Sequence, residues 1–226
     1  MAKLNTKDIK GAGEGGVSKT LKPGNHKCKL NSISLEEFKF KPGSYHIVLN
    51  LEGPDLGKDF EGFFINKDNE SLGRHKGQVG KVKASEWAYA DGETKTGVKI
   101  ERDAEILKFL KSYCMALGCH EWLVDQDDKH ETIESLFLAF DQEKPYKDKV
   151  IDYCICGKEY TNKGGYSDFE LFLPKYNKTG APFGTSKVQV FNETDHVKKK
   201  KAEPVNEFGG EDNSLSTSAS SDFALD

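Results

Sequence analysis

Cationic and aromatic side chains are concentrated in residues 73–92, which read GRHKGQVGKVKASEWAYADG. The side chains concerned are Arg74, Lys76, Lys81, Lys83, Trp87 and Tyr89. Phosphate groups bind positive charge, and an unstacked base binds the flat face of an aromatic ring. The stretch therefore predicts contact with a nucleic acid. The alternative is a solvated loop whose Trp87 packs back onto the domain.

A second group of candidate contacts lies on predicted strands. Phe63 is out of phase with Phe60 and Phe64, and Phe172 lies on the otherwise polar face of its strand. Such rings either stack on bases or are covered by other parts of the chain. The predicted closing hairpin, KVIDYCICGKEY and YSDFELFLPKY around TNKGG, adds Tyr153, Lys158, Tyr160 and Lys163.

Catalysis and metal binding are not indicated. The pattern GAGEGG has no strand before it and no helix after it, and neither H-E-x-x-H nor G-x-S-x-G occurs. The cysteines and histidines lack the C-x2-C spacing that is typical of zinc sites. We therefore predict a protein that is not an enzyme and that needs no metal or cofactor.

The elements that would position these side chains follow from periodicity. Alternating patterns predict strands near 25–38, 41–53 and 58–67, while a long polar segment follows at 68–98. Helical spacing predicts a helix over 100–117, which Gly118 ends, and a shorter one over 132–140, which Thr132 caps.

This order of elements predicts a mainly β fold with a helical insertion. Three strands, one or two helices and a closing hairpin are typical of the five-stranded OB-fold-like barrel, which binds oligonucleotides. An SH3-like barrel or a small sandwich is the alternative, but neither requires a helix between the third and fourth strands. The termini are predicted to be disordered.

The charge distribution predicts three parts: a flexible arm over 1–20, a binding domain over 21–195 and an acidic tail over 196–226. The net charge is −4, yet residues 1–201 contain 33 basic and 31 acidic side chains. The six other acids lie beyond Lys201. This asymmetry favours a nucleic-acid partner.

The final stretch, DNSLSTSASSDFALD, places two apolar side chains between acids. The four residues are Asp222, Phe223, Leu225 and Asp226. Such a tip can dock on a partner protein, and an acidic segment can compete with DNA for a basic groove. The alternative is a terminus that only increases solubility.

Together, the strand and helix order, the basic aromatic stretch and the acidic tail resemble single-stranded DNA-binding proteins, especially those of tailed bacteriophages. The stretches GQVGKVKASEWAYADG and RDAEILKFLKSYCMALGC carry much of the resemblance. It implies sequence-independent coating of single-stranded DNA during replication or recombination, with the tail recruiting other proteins. The end DFALD departs from the acidic Pro-Phe ending of bacterial relatives.

Five cysteines, no apolar leader and no membrane-length segment predict a reducing compartment. We therefore expect a cytoplasmic protein, in the host cytoplasm if a phage encodes it. Two other functions fit the same sequence. One is a structural or packaging protein of a virion whose barrel makes protein contacts, and the other is a recombination mediator that acts mainly through its tail.

Overall fold

A computed structural model of the chain describes residues 18–66, 68–174 and 190–200. The strands are β1 (Gly24–Glu37), β2 (Tyr45–Asp55), β3 (Phe63–Phe64), β4 (Arg74–His75), β5 (Gly77–Lys83), β6 (Gly92–Glu93), β7 (Lys99–Ile100), β8 (Val150–Thr161), β9 (Ser167–Phe172) and β10 (Val197–Lys198). The helices are α1 (Arg102–Leu117), α2 (His120–Val124), α3 (Ile133–Glu143) and α4 (Glu193–His196), and a 3-10 turn spans Glu70–Leu72.

The long strands form one mixed sheet in the order β1-β2-β5-β9-β8-β10. β1 pairs with both β2 and β8, so the pairings of β1, β2, β5, β9 and β8 form a cycle. All of these pairings are antiparallel except that between β5 and β9. The predicted mainly β architecture with a few helices is therefore confirmed.

The cycle closes unevenly between β5 and β9, which pair only at Val82–Leu171 and Lys83–Phe172. The chain before β1 fills part of the remaining gap. The Leu21 N–H donates to the Val79 carbonyl over 2.9 Å. Leu21 is buried against Gly80, where a Cβ would lie 3.0 Å from its side chain. Residues 18–20, which the sequence assigns to a flexible arm, thus run beside β5.

The third long strand is not where the sequence predicts it. Within the described residues of the predicted strand, 58–66, only the short β3 forms, whereas β5 lies inside the predicted polar segment. Two of the buried positions of β5 are Gly80 and Val82. Glycine at a buried position gives no apolar signal, so the alternation of this strand cannot be recognised from hydropathy alone.

The predicted helices are confirmed. Gly118 ends α1 with a left-handed φ of 67°, and the Thr132 side chain caps α3 by accepting from the Ser135 N–H. The predicted α3 stripe is buried: Ile133, Leu136, Phe137 and Phe140. Periodicity did not predict α2 and α4, which have only five and four residues.

A carboxylate joins the helices to the sheet. Asp141 of α3 accepts from the Ile33 N–H at 2.9 Å and from the Tyr146 hydroxyl at 2.8 Å. Ile33 lies beyond the part of β1 that pairs with β8, so Asp141 satisfies a donor that β8 does not reach. The helices are thereby fixed against the core side of the sheet. Among the helices in the described ranges, none is long and apolar enough to cross a membrane.

Candidate nucleic-acid interface

Two aromatic rings are strongly exposed at one end of the sheet. Phe40, in the loop after β1, is 88% exposed, and Trp87, in the segment after β5, is 74% exposed. β1 and β5 both run antiparallel to β2, so the segments that follow them leave at the same end. Two backbone hydrogen bonds of 2.9 and 2.7 Å between Tyr45 and Tyr89 join these segments.

Contacts on both sides hold the Trp87 segment in place. The Trp87 N–H donates to the Ser85 hydroxyl oxygen at 3.2 Å, and Glu86 pairs with Lys198 at 2.5 Å. Tyr89, another predicted contact residue, is half-buried because its ring packs against the core. It holds the Trp87 segment against the core and does not present an exposed ring. The alternative in which Trp87 packs onto the domain is wrong, because its side chain is in solvent.

The loop at residues 38–44 presents Phe40 between Lys39 and Lys41. The Phe38 ring makes an edge contact with Phe40 at 5.6 Å and with His46 at 5.4 Å, which supports the loop from below. Phe40 was not among the residues predicted for the site. The signal that could have identified it is the stretch FKFKPG, in which lysines flank the ring and a Pro-Gly turn follows.

Arg102, the first residue of α1, ties this loop to the helices. Its Nη1 donates to the Gly43 carbonyl at 3.0 Å, and its guanidinium lies over the Tyr45 ring at 4.8 Å. Its backbone N–H donates to Asp91 at 2.8 Å. The two segments that carry Phe40 and Trp87 are therefore held to one helix end and to each other.

The predicted lysines of β5 are ion-paired. Lys81 lies 2.7 Å from Glu36 of β1, and Lys83 pairs with Glu170 of β9. His46 of β2 is buried nearby, and its pKa is lowered by that burial and by the charge of Lys83. This outer face is therefore a network of alternating charges. A phosphate that binds here must replace a carboxylate partner.

Arg74, Lys76 and Phe63 lie at the other end of β5 from Trp87. Arg74 lies over the Phe64 ring at 4.0 Å and pairs with Glu61 at 2.9 Å. Phe63 packs against Phe60 and His75 and is half-buried. Lys76 lines a separate cleft of about 310 Å³ with Lys27 and Lys29. β5 spans roughly 23 Å at 3.3 Å per residue, so these side chains form a second patch.

Tyr153 was predicted to stack on a base, and this prediction is wrong. Its side chain is fully buried, and its hydroxyl bonds to that of Tyr113 at 2.6 Å. Burial raises the pKa of both hydroxyls. Tyr153 faces the core because it shares a strand face with the buried Ile155. The ring of Phe172 is also buried. Phe172 pairs across the hairpin with Cys156, which is buried as well.

The β8–β9 hairpin forms a third patch, at the same end of the sheet as Arg74. Lys158 and Lys163 are exposed, and Tyr160 is partly exposed with its hydroxyl 3.4 Å from Asp168. The segment with α4 and β10 lies alongside, since the Lys200 N–H donates to Glu159 at 3.1 Å. This segment thus extends past residue 195, where the sequence places the domain boundary, and pairs with β8 up to Lys198.

All five cysteines are buried, and burial raises the pKa of Cys28 to about 12. In the part of the chain that the structure describes, no group of three or more His, Cys, Asp or Glu side chains could hold a metal ion. The predicted tail contacts Asp222, Phe223, Leu225 and Asp226 lie outside the described residues.

No protein-family model, no curated protein and no solved structure matches the chain.

Proposed function

We propose that the cycle of strands is an OB-fold barrel. Its strands in chain order are β1, β2, β5, β8 and β9. The pairing order β1-β2-β5-β9-β8-β1, with the helices between the third and fourth strands, supports this proposal. In this fold the face of the second and third strands and the loops between strands one and two and four and five bind oligonucleotides. Those loops are residues 38–44 and 162–166.

The function that the site supports best is sequence-independent binding of single-stranded DNA in replication or recombination, as expected from the resemblance to phage proteins. One observation carries the proposal, namely that Phe40 and Trp87 are exposed on adjoining segments. Burying such rings against bases gives about 1–3 kcal/mol per base and does not depend on sequence. The proposed function involves no reaction and no cofactor.

Phosphates would be held by Lys39, Lys41 and Lys83 around the two rings. Because Lys83 is ion-paired in the free protein, its contact with a phosphate is an exchange of partners. Such exchange gives a smaller gain than binding to a free cation, so we expect moderate affinity with a clear salt dependence. The tail is proposed to recruit replication or recombination proteins through Phe223 and Leu225.

The test is fluorescence anisotropy of a labelled oligo-dT of about 20 nucleotides, with the full chain at low and moderate salt. We expect saturable binding that weakens with salt and that falls when Phe40 and Trp87 are both changed to alanine. Met115→Ala is the matched control, because Met115 is 62% exposed on α1, away from the rings. Absence of binding at low salt, or equal loss in the control, would overturn the proposal.

A further inference from the structure

The cleft of about 310 Å³ at the end of β5 away from the exposed rings is lined by three lysines. Lys27 and Lys29 belong to β1, and Lys76 directly precedes β5. Gly53 of β2 and Gly77 of β5 also line the cleft. A Cβ at Gly77 would overlap the Gly53 carbonyl oxygen, so glycine allows the two strands to approach each other closely here.

Two of these lysines are available to a ligand. Lys29 is paired with Glu52 at 3.3 Å, whereas Lys27 and Lys76 form no ion pair with any described residue. Asp55 is the second carboxylate in the lining. Three ammonium groups and two carboxylates leave an excess of one positive charge, and both unpaired lysines are exposed. The cleft therefore fits a phosphate group.

The cleft lies on the same face of the sheet as the other lysines of β5. Glu52 of β2 is the cross-strand partner of both Lys29 and Val79, and cross-strand partners share a face. Lys81 and Lys83 follow Val79 at a spacing of two residues, so they lie on this face as well. A row of lysines thus runs along one face from the cleft towards the exposed rings.

We propose that this lysine cleft binds phosphate groups of the same single strand whose bases stack on Phe40 and Trp87, an inference that rests on the proposed function. β5 spans roughly 23 Å, so a strand with the spacing of B-form DNA, about 3.4 Å, covers it with about seven nucleotides, and an extended strand with fewer. A trinucleotide is too short to reach both places. Stacking on the rings raises the effective concentration of phosphates at the cleft, so weak contacts there add affinity.

The experiment compares dT3 with dT15 on the full chain and on its Lys27→Ala, Lys76→Ala variant. Binding of dT3 is followed by quenching of tryptophan fluorescence, and binding of labelled dT15 by anisotropy. In the variant we expect dT15 affinity to fall about fivefold at low salt, and the slope of log affinity against log salt to shrink by about 1.4, because each phosphate contact on a single strand contributes about 0.7. Affinity for dT3 should stay within about twofold.

Two further variants separate the cleft from general charge. Lys111→Ala with Lys129→Ala removes the same charge from exposed positions of the helical region and should leave both affinities within about twofold. Asp55→Asn has the opposite expected effect. Its amide oxygen can still accept from the Gly57 N–H, as the carboxylate does at 3.2 Å. Loss of its charge should raise dT15 affinity about twofold and leave dT3 unchanged.

The outcomes distinguish the cleft from the DNA-binding function itself. A longer strand offers more positions to a short site, so the informative quantity is the loss in the cleft variant and not the tighter binding of dT15. Unchanged dT15 affinity in that variant, an equal loss in the helical control, or an equal loss for dT3 overturns the cleft assignment and leaves the proposed function standing. Absence of binding by both oligonucleotides to the wild-type chain overturns both.

Discussion

The end of the sheet with Phe40 and Trp87 and the helical region differ in how exposed their aromatic residues are. That end of the sheet leaves both rings in solvent beside lysines. The helical region buries Phe137 and Phe140, and it has 11 acidic and 4 basic side chains between residues 101 and 143. Aromatic content is therefore no guide to binding in this chain. A ring that is exposed and fixed by its backbone, next to cations, is the informative feature.

The largest expected effect is a loss of stability when a buried ring of the helical region is removed. Phe140 is fully buried between the rings of Trp122 and Tyr146. We expect Phe140→Ala to lower the free energy of unfolding by about 3–5 kcal/mol, because it leaves a cavity in the core. Urea unfolding followed by circular dichroism measures this. A loss below about 1 kcal/mol would mean that the helical region does not pack as described.

Trp87→Ala is expected to leave stability nearly unchanged and to weaken DNA binding. The free energy of unfolding should stay within about 0.5 kcal/mol, since the side chain is exposed. Oligo-dT binding should weaken by about 1–3 kcal/mol, because one stacking surface is lost. Anisotropy and urea unfolding on the same preparations give both values. Unchanged affinity combined with lower stability would place Trp87 with the structural residues.

Tyr153→Phe tests whether Tyr153 of β8 is a buried structural residue. Removing its hydroxyl leaves the buried Tyr113 hydroxyl without this partner, so we expect a loss of about 1–3 kcal/mol in the free energy of unfolding. Affinity for oligo-dT should not change. A specific loss of DNA binding with intact stability would contradict the burial of this ring.

Removing the carboxylate partners of the β5 lysines is expected to strengthen DNA binding, whereas Trp87→Ala weakens it. Glu36→Gln and Glu170→Gln release Lys81 and Lys83 from their carboxylates. We expect oligo-dT affinity to rise by about 0.2–1 kcal/mol, the range measured for exposed ion pairs. Glu121→Gln on α2 is the control, with no expected change. Lower affinity in the two variants would indicate that the pairs position the lysines for DNA.

The smallest effect concerns His46. Burial and the Lys83 charge lower its pKa in the folded protein, so the unfolded chain binds this proton more readily. His46 therefore does not affect stability well above pH 6.5. Stability falls as the pH drops through the pKa of His46 in the unfolded chain towards its lower pKa in the folded protein. Urea unfolding at pH 7.5 and 5.5 should show a smaller decrease in His46→Gln than in the wild type. An equal decrease would contradict this assignment.

The sequence predicts the regular parts of the fold well and the site less well. Apolar periodicity identifies α1, α3, β2 and the β8–β9 hairpin because their buried positions are large side chains. It misses β5, where glycine occupies a buried position. Trp87 lies in the stretch for which the sequence predicts a contact, but composition cannot tell an exposed ring from a buried one such as Tyr153. That distinction depends on strand register, which only the fold provides.

The intrinsic fluorescence of Trp87 tests directly whether bases stack on this ring. The chain has two tryptophans, so Trp122→Phe leaves Trp87 as the single reporter. Oligo-dT is then titrated into this variant at low salt, and salt is added at the end. We expect saturable quenching of Trp87 fluorescence that salt reverses, because a base that stacks on the ring quenches its emission. DNA binding by anisotropy without quenching, or no binding at all, would contradict it.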